Sequence, residues 1–177
     1  FLRKSMNRDR YFWRWDTEEK YQNNMRNYLR MISGIDHAIG RVIKELKSQG
    51  MAQNTVLIYM ADNGYYAASR GFAGKWSHYE ESQRVPLIIF DPRAKKEARG
   101  KREKGIALNV DIAPTIVALA GARMPEGYQG RSLTSSLEGN VEKKSPEDFF
   151  CEHRMNNRSI PKWEGVRGQR YKYARYY

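Results

Sequence analysis

An Asp-Asn-Gly triplet stands directly after a short apolar run, and its side chains could bind a divalent cation. Asp62, Asn63 and Gly64 follow the run at 55–60. In open α/β sheets, ligands bind beyond the carboxyl ends of the strands. Carboxylate and amide oxygens are the ligands that Ca²⁺ and Mg²⁺ prefer, and glycine lets the backbone turn away sharply. The triplet is also a common turn sequence, so its spacing alone leaves both interpretations open.

Lys75 follows in the same loop, between Gly74 and Trp76. A lysine beside a divalent cation places a compact positive charge near the oxygens of a sulfate or phosphate group. In a chain with 32 lysines and arginines, an ordinary surface lysine is the alternative. His78 is the best functional candidate among the three histidines because it shares this loop, whereas His37 lies on a predicted helix.

Two apolar runs bracket this loop and predict the strands that position it. Residues 55–60 and 85–90 are short and nearly continuous in apolar character, which is typical of strands buried on both faces in a parallel sheet. The stretch 64–84 between them is too long for a tight turn, and we expect it to be functional. Residues 1–15 show no sustained period and are predicted to be irregular.

Two helices are predicted on either side of these strands. Asp16, with a glutamate three residues later, resembles a capping box, and Gly50 is a natural helix stop. Between them runs an apolar stripe of Tyr21, Met25, Tyr28, Ile32, Ile35, Ile39, Ile43 and Leu46. Asp111, with Pro114 in the first turn, is expected to cap a second helix that ends at Gly121.

The tail of the chain has the alternation of strands. Residues 149–152 predict one strand, and 163–167 with 170–176 predict a hairpin across Gly168 and Gln169. Together they indicate a small antiparallel subdomain beside an α/β layer.

Composition excludes several classes of protein. The chain has 177 residues of which 40% are hydrophobic, enough for an ordinary core. A single cysteine, Cys151, rules out an intrachain disulfide, and no apolar stretch approaches the roughly 20 residues of a membrane span. A net charge of +12 favours anionic ligands. Part of it comes from a predicted solvent-exposed connector containing Arg93, Lys95, Lys96, Arg99, Lys101, Arg102 and Lys104.

Several short motifs agree in order and spacing with one enzyme family. They are Ala-Asp-Asn-Gly at 61–64, Gly-Lys at 74–75, Tyr-Glu-Glu-Ser at 79–82, Arg-Val-Pro-Leu-Ile at 84–88, Val-Asp-Ile-Ala-Pro-Thr at 110–115 and Gly-Arg-Ser-Leu at 130–133. The chain thereby resembles the sulfatase family. The resemblance implies an alkaline phosphatase-like α/β fold, with part of a mixed sheet and its flanking helices at 1–145. It also implies that a small antiparallel C-terminal subdomain begins at 146–177.

The resemblance also implies roles for the candidate residues. Sulfatases bind one divalent cation, and Asp62 and Asn63 match the later of two ligand pairs for Ca²⁺ or Mg²⁺. Lys75 matches the lysine that contacts the sulfate, which implies both substrate binding and catalysis. Arg70 departs from the family, where many members have histidine, and could bind a carboxylate or second sulfate of the substrate or be a rim charge. His78 is the remaining candidate for substrate binding.

The family nucleophile is a formylglycine made from Cys or Ser in a Cys/Ser-x-Pro/Ala-x-Arg motif. The 177 residues contain no such motif, and the residues that follow Cys151 do not fit it. Cys151 is therefore interpreted as a structural residue on a strand. We expect the nucleophile in an N-terminal half outside this sequence, and little or no turnover from this chain alone.

Three functions are compatible with these residues. The leading hypothesis is hydrolysis of sulfate esters, and carbohydrates are the expected carriers of the ester. The alternatives are a phosphodiesterase or phosphonate monoester hydrolase of the same superfamily, and a non-catalytic module that binds anionic glycans through alternating basic and aromatic residues at 167–177. No nucleic-acid partner is expected. The family resemblance implies a periplasmic, secreted or otherwise exported protein.

Overall fold

The computed structural model describes residues 2–138 and 145–177. Its helices are α1 (Met6–Arg14), α2 (Glu18–Ser48), α3 (Glu80–Gln83), α4 (Ile112–Leu119) and α5 (Thr134–Leu137). Its strands are β1 (Leu57–Met60), β2 (Tyr66–Ala67), β3 (Ala73–Gly74), β4 (Leu87–Phe90), β5 (Asp148–His153), β6 (Trp163–Gly168) and β7 (Lys172–Tyr176). Short 3₁₀ turns join several of them.

Helix α1 corrects the prediction of irregular structure over 1–15. The helix is polar, and its one buried residue is Asn7. A search for regularly spaced apolar residues therefore could not predict this helix. Long-range contacts hold it instead: Arg8 Nη1 donates a hydrogen bond to the Gly71 carbonyl at 2.9 Å.

Helix α2 begins one residue later than predicted. The Thr17 side chain, not that of Asp16, accepts a hydrogen bond from the Lys20 backbone N–H at 3.2 Å. The Asp16 carboxylate instead pairs with the Lys20 ammonium at 2.6 Å. The stop at Gly50 is confirmed, with the helix ending at Ser48 and Gly50 at φ +68°. Within the described ranges, no helix is both long enough and apolar enough to cross a bilayer.

Strands β1 and β4 pair antiparallel, with Leu57 opposite Phe90 and Met60 opposite Leu87. The prediction of parallel strands is wrong for these two, and within this chain β4 is not buried on both faces. Ile88 and Phe90 on β4 are 60% and 50% exposed. A short apolar run carries no information about strand direction, and the long connection lets the chain return in either sense.

The chain forms two compact units. The first contains residues up to Pro92 with Phe150–Val166 and Tyr173–Tyr177. Its buried aromatic residues are Trp15, Tyr66, Phe72 and Trp163.

The second unit contains the described residues of Arg93–Phe149 with Arg167–Lys172. Asp111 occupies the N-cap position of α4, but its carboxylate accepts hydrogen bonds from the Leu108 and Arg131 backbone N–H groups, both at 2.9 Å. It therefore braces two loops rather than capping the helix. The seven basic residues of the predicted connector are all exposed, as expected.

The C-terminal strands form one sheet in the order β5-β6-β7. The predicted strand at 149–152 lies inside β5, and the predicted hairpin is present. The Gly168 N–H donates to the Tyr171 carbonyl at 2.8 Å, so the turn residues are Gln169 and Arg170, one position later than predicted.

Candidate functional site

Asp62 and Asn63 lie just beyond the end of β1, as the sequence predicts. The Asn63 backbone N–H donates to Asp62 Oδ1 at 2.9 Å, and Asn63 Nδ2 donates to the Gly64 carbonyl at 2.9 Å. The second of these bonds sets the orientation of the Asn63 carboxamide and leaves its Oδ1 available to accept from another donor.

Gly64 packs the triplet against helix α3. Its N–H donates to the Ser82 carbonyl at 2.9 Å. A Cβ on Gly64 would lie 2.2 Å from the Glu81 carbonyl oxygen. Glycine is therefore required here by close approach of two backbones.

The Lys75 side chain reaches back to this triplet. Its Nζ donates a hydrogen bond to Asn63 Oδ1 at 2.6 Å, across 12 residues of sequence. Lys75 is half-buried, whereas Asp62 is exposed. The structure thus brings together the lysine and the amide that the sequence predicted for one site, with a carboxylate beside them.

The loop carrying Lys75 holds several residues in the left-handed backbone region. Ala68, Arg70 and Trp76 have φ values of 74°, 60° and 79°. Such conformations each cost about 1–3 kcal/mol for residues other than glycine and tend to cluster at functional sites. The backbone conformation of the loop is therefore held by contacts with the surrounding structure and not by the conformational preferences of its own residues.

Arg70 is engaged by its neighbours in the loop. Its Nε donates to the two carboxylate oxygens of Glu81 at 3.0 and 3.3 Å. Its guanidinium carbon lies 4.3 Å from the centroid of the Tyr79 ring. The Arg70 side chain remains 50% exposed, so the guanidinium is held in one place while facing solvent.

His78 lies among aromatic rings. Its ring centroid is 4.1 Å from that of Tyr79, 5.5 Å from that of Tyr176 and 6.3 Å from that of Trp163. The Tyr176 hydroxyl accepts a hydrogen bond from the His78 backbone N–H at 3.3 Å and pairs with Nδ1 at 2.8 Å.

Burial of the Tyr176 phenol raises its pKa to about 12. The hydroxyl therefore keeps its proton at neutral pH, and the direction of its bond with His78 Nδ1 follows the tautomer of the ring. These contacts give His78 a packing role, and none of them joins it to Lys75 or Asn63.

Three residues of this region carry no local sequence signal. Asn7, Trp163 and Tyr176 bond to the site loop from 68, 87 and 98 residues away along the chain. Motif spacing describes neighbours in sequence and could not identify them. The only hint in the sequence was that Trp163 and Tyr176 belong to strands rich in aromatic residues.

The donor atoms fit a hard divalent cation in part. The Asp62 carboxylate and Asn63 Oδ1 are oxygen ligands of the right chemistry. Calcium takes about six to eight oxygens. Across 2–138 and 145–177, no group of three or more His, Cys, Asp or Glu residues could complete such a site. The described residues would therefore supply one side of a cation site.

Comparison with known families gives two overlapping matches. A family described as sulfatase matches residues 7–122, and one described as N-sulphoglucosamine sulphohydrolase, C-terminal, matches residues 69–177. Together they cover nearly the whole chain.

Individual proteins agree with these matches. An N-acetylglucosamine-6-O-sulfatase of Bacteroides thetaiotaomicron is 36% identical over 165 residues, which are 89% of this chain and 29% of that protein. A solved structure of a protein with its substrate D-glucosamine-2-N,6-O-disulfate is 34% identical, with a TM-score of 0.82 over 89% of this chain and 32% of the other. A phosphonate monoester hydrolase from Silicibacter pomeroyi is 26% identical, with a TM-score of 0.81 over 90% of this chain and 34% of the other.

The chain spans about a third of the length of these relatives. The predicted alkaline phosphatase-like fold is confirmed by its similarity to their structures. On the extent of the family match and the identity to its members, the chain belongs to the sulfatase family.

Proposed function

We propose that the protein carrying this chain hydrolyses sulfate esters on carbohydrates, with the chain supplying one wall of the active site. The observation that carries the proposal is the hydrogen bond from Lys75 Nζ to Asn63 Oδ1 at 2.6 Å. The bond places the positively charged Lys75 ammonium beside hard oxygen donors just beyond the end of β1, where an anionic ester could be held. The names of the relatives, which include an N-acetylglucosamine-6-O-sulfatase, support a sulfated sugar as substrate.

Lys75 is assigned to charge stabilisation. Its ammonium would contact the oxygens of the bound sulfate and stabilise the negative charge that grows on them as the ester bond breaks. Because the side chain is half-buried and already oriented by Asn63, little reorganisation is needed when the substrate binds.

Asp62 and Asn63 are assigned to a divalent cation, Ca²⁺ or Mg²⁺. The bound cation would supply Lewis-acid chemistry at a sulfate oxygen. The two side chains would orient it at the end of β1, and the remaining ligands would come from other parts of the protein.

Arg70 and His78 are assigned to substrate binding at the edge of the site. The support for Arg70 is its half-exposed guanidinium, held by Glu81 and Tyr79. The support for His78 is its position in the same loop, although its described contacts are with aromatic residues.

The nucleophile is proposed to be a formylglycine outside these 177 residues, since no sequence here fits the required motif. Cys151 is excluded from this role by its flanking residues, and it lies on β5 as predicted. Export from the cytoplasm is part of the proposal and rests on family resemblance alone.

Hydrolysis of a phosphonate monoester or phosphodiester is the second candidate. It is favoured by the similarity to the phosphonate monoester hydrolase from Silicibacter pomeroyi. Sulfate and phosphonate monoesters both present anionic oxygens, and a lysine beside a hard cation serves either one.

Turnover of an aryl sulfate, an aryl phosphate and an aryl phosphonate monoester by the protein carrying this chain separates the candidates. We expect the aryl sulfate to be preferred, activity to fall on treatment with a chelator, and Ca²⁺ or Mg²⁺ to restore it. Preference for the phosphonate would favour the second candidate. Salt-sensitive binding of a sulfated glycan with no turnover of any ester would favour a binding module.

A further inference from the structure

Two consecutive backbone carbonyls, those of Lys75 and Trp76, are held by side chains from distant parts of the chain. Asn7 Nδ2 donates to the Lys75 carbonyl at 2.6 Å, and Trp163 Nε1 donates to the Trp76 carbonyl at 2.8 Å. Asn7 and Trp163 are only 5% and 4% exposed. The two peptide planes that follow Lys75 and Trp76 are therefore oriented by buried residues on α1 and β6.

The backbone on both sides of Lys75 is left-handed. Gly74 has φ +105° and Trp76 has φ +79°. A left-handed tryptophan is strained and persists only where its surroundings over-determine it. The two hydrogen bonds fix the peptide planes on either side of Trp76 and so oppose a return of its φ to negative values.

Asn7 is poorly suited to a purely stabilising role. Among the described residues, its Oδ1 is buried with no hydrogen-bond partner. A buried polar atom without a partner is unfavourable, and an apolar side chain of similar volume would avoid it. The asparagine is therefore better explained by its other atom, the Nδ2 that holds the Lys75 carbonyl.

We propose that Asn7 is a positioning residue for Lys75. Through the Lys75 carbonyl it keeps the left-handed turn at Trp76 in place and so aims the ammonium at Asn63 Oδ1. Trp163 supports the same turn by donating a hydrogen bond to the Trp76 carbonyl. The effect on catalysis rests on the proposed function, whereas the effect on the orientation of Lys75 does not.

The kinetic test compares Asn7→Leu and the isosteric Asn7→Asp with Asn23→Leu, a control on the exposed surface of α2. Both Asn7 variants should keep their fold, as judged by circular dichroism. Their kcat/KM for an aryl sulfate should fall about 10- to 100-fold, because small misplacements of a catalytic group have effects of that size. The loss should lie mainly in kcat, and Asn23→Leu should match the wild type.

A second arm asks whether the effect passes through Lys75. In a Lys75→Ala background, Asn7→Leu should cause no further loss, because residues that act as a unit are not additive. A merely structural asparagine would lower the amount of folded protein by the same factor in both backgrounds.

A third readout does not depend on turnover. Limited acetylation with acetic anhydride, followed by mass spectrometry, measures the reactivity of each lysine. Lys75 should be labelled slowly in the wild type because its Nζ is bonded to Asn63 Oδ1. Asn7→Leu should raise its labelling relative to the exposed Lys44.

These readouts distinguish the two proposals. Increased Lys75 labelling in Asn7→Leu, in a protein that hydrolyses no sulfate ester, would refute the proposed function and leave the positioning role supported. Unchanged labelling together with wild-type kcat/KM in the folded Asn7 variants would overturn the positioning role, whatever the wild-type activity.

Discussion

Replacing Gly64 with alanine should disrupt the site from the backbone outward. The added Cβ would lie 2.2 Å from the Glu81 carbonyl oxygen and 3.0 Å from the Arg84 carbonyl oxygen. Both obstacles are backbone atoms, so no side-chain rotation relieves the clash. Helix α3 or the turn containing Gly64 has to move, and the hydrogen bond from Gly64 N–H to the Ser82 carbonyl is strained or lost.

The expected loss follows from these two effects. Overpacking typically costs about 1–3 kcal/mol, and a lost hydrogen bond about 1 kcal/mol. We therefore expect Gly64→Ala to lower the free energy of unfolding by about 2–4 kcal/mol. Because Gly64 directly follows Asn63, the same movement should displace the amide oxygen that Lys75 contacts.

Urea unfolding, followed by tryptophan fluorescence, measures the loss. Gly40→Ala is the matched control: Gly40 lies inside α2, where an added Cβ would meet no described atom within 4 Å apart from its chain neighbours and the backbone of its own helix. That substitution should stabilise the chain by about 0.5–1 kcal/mol, since alanine is the better helix former. A Gly64→Ala chain as stable as the wild type would show that the close approach of Gly64 to the backbone of α3 is wrong.

Three further predictions concern other contacts. Thr115→Val should cost about 2–4 kcal/mol in urea unfolding, because a fully buried hydroxyl loses two hydrogen bonds and leaves a buried N–H unpaired; an unchanged midpoint would contradict this. Thr17→Ala should cost about 1 kcal/mol and Asp16→Ala less, since Thr17 is the cap; the reverse order would restore Asp16 as the cap. Burial raises the pKa of Tyr176 from 10.0 to about 12, so the unfolded chain loses the phenolic proton first and stability should fall as pH rises through that interval. Tyr176→Phe should flatten the fall measured by urea titration at each pH, and the exposed Tyr171→Phe should not.

The parts of the site that sequence could predict are those encoded locally. Asp62 and Asn63 follow an apolar strand directly, and Lys75 lies in the loop that must return to it. The distance of 2.6 Å between Lys75 Nζ and Asn63 Oδ1 agrees with the prediction that these residues of one loop share a site.

The parts that sequence could not predict depend on contacts between distant residues. The direction of β4 relative to β1 is set by the path of the chain between them and not by either apolar run. Helix α1 is polar, so no apolar pattern predicts it. Its position is set by the contacts of Asn7 and Arg8 with residues 71–75, which are distant in sequence.

Some boundaries were ambiguous for a local reason. Asp16 and Thr17 are both good capping residues, and the choice falls on the one whose oxygen reaches the Lys20 N–H. The hairpin turn at Gln169 and Arg170 lies one residue from the predicted position, because a glycine can end a strand as readily as it can begin a turn.

The most direct test of the central claim is the aryl-sulfatase rate of the protein carrying this chain and of its Lys75→Ala and Asp62→Ala variants, each checked for folding by circular dichroism. Lys44→Ala on the exposed surface of α2 is the control and should keep the wild-type rate. Removing a charge-stabilising donor should lower kcat by about 100- to 1000-fold in Lys75→Ala. Asp62→Ala should also lose activity and require more added cation. Wild-type rates in both folded variants would contradict the assignment of this loop as the wall of a sulfatase site.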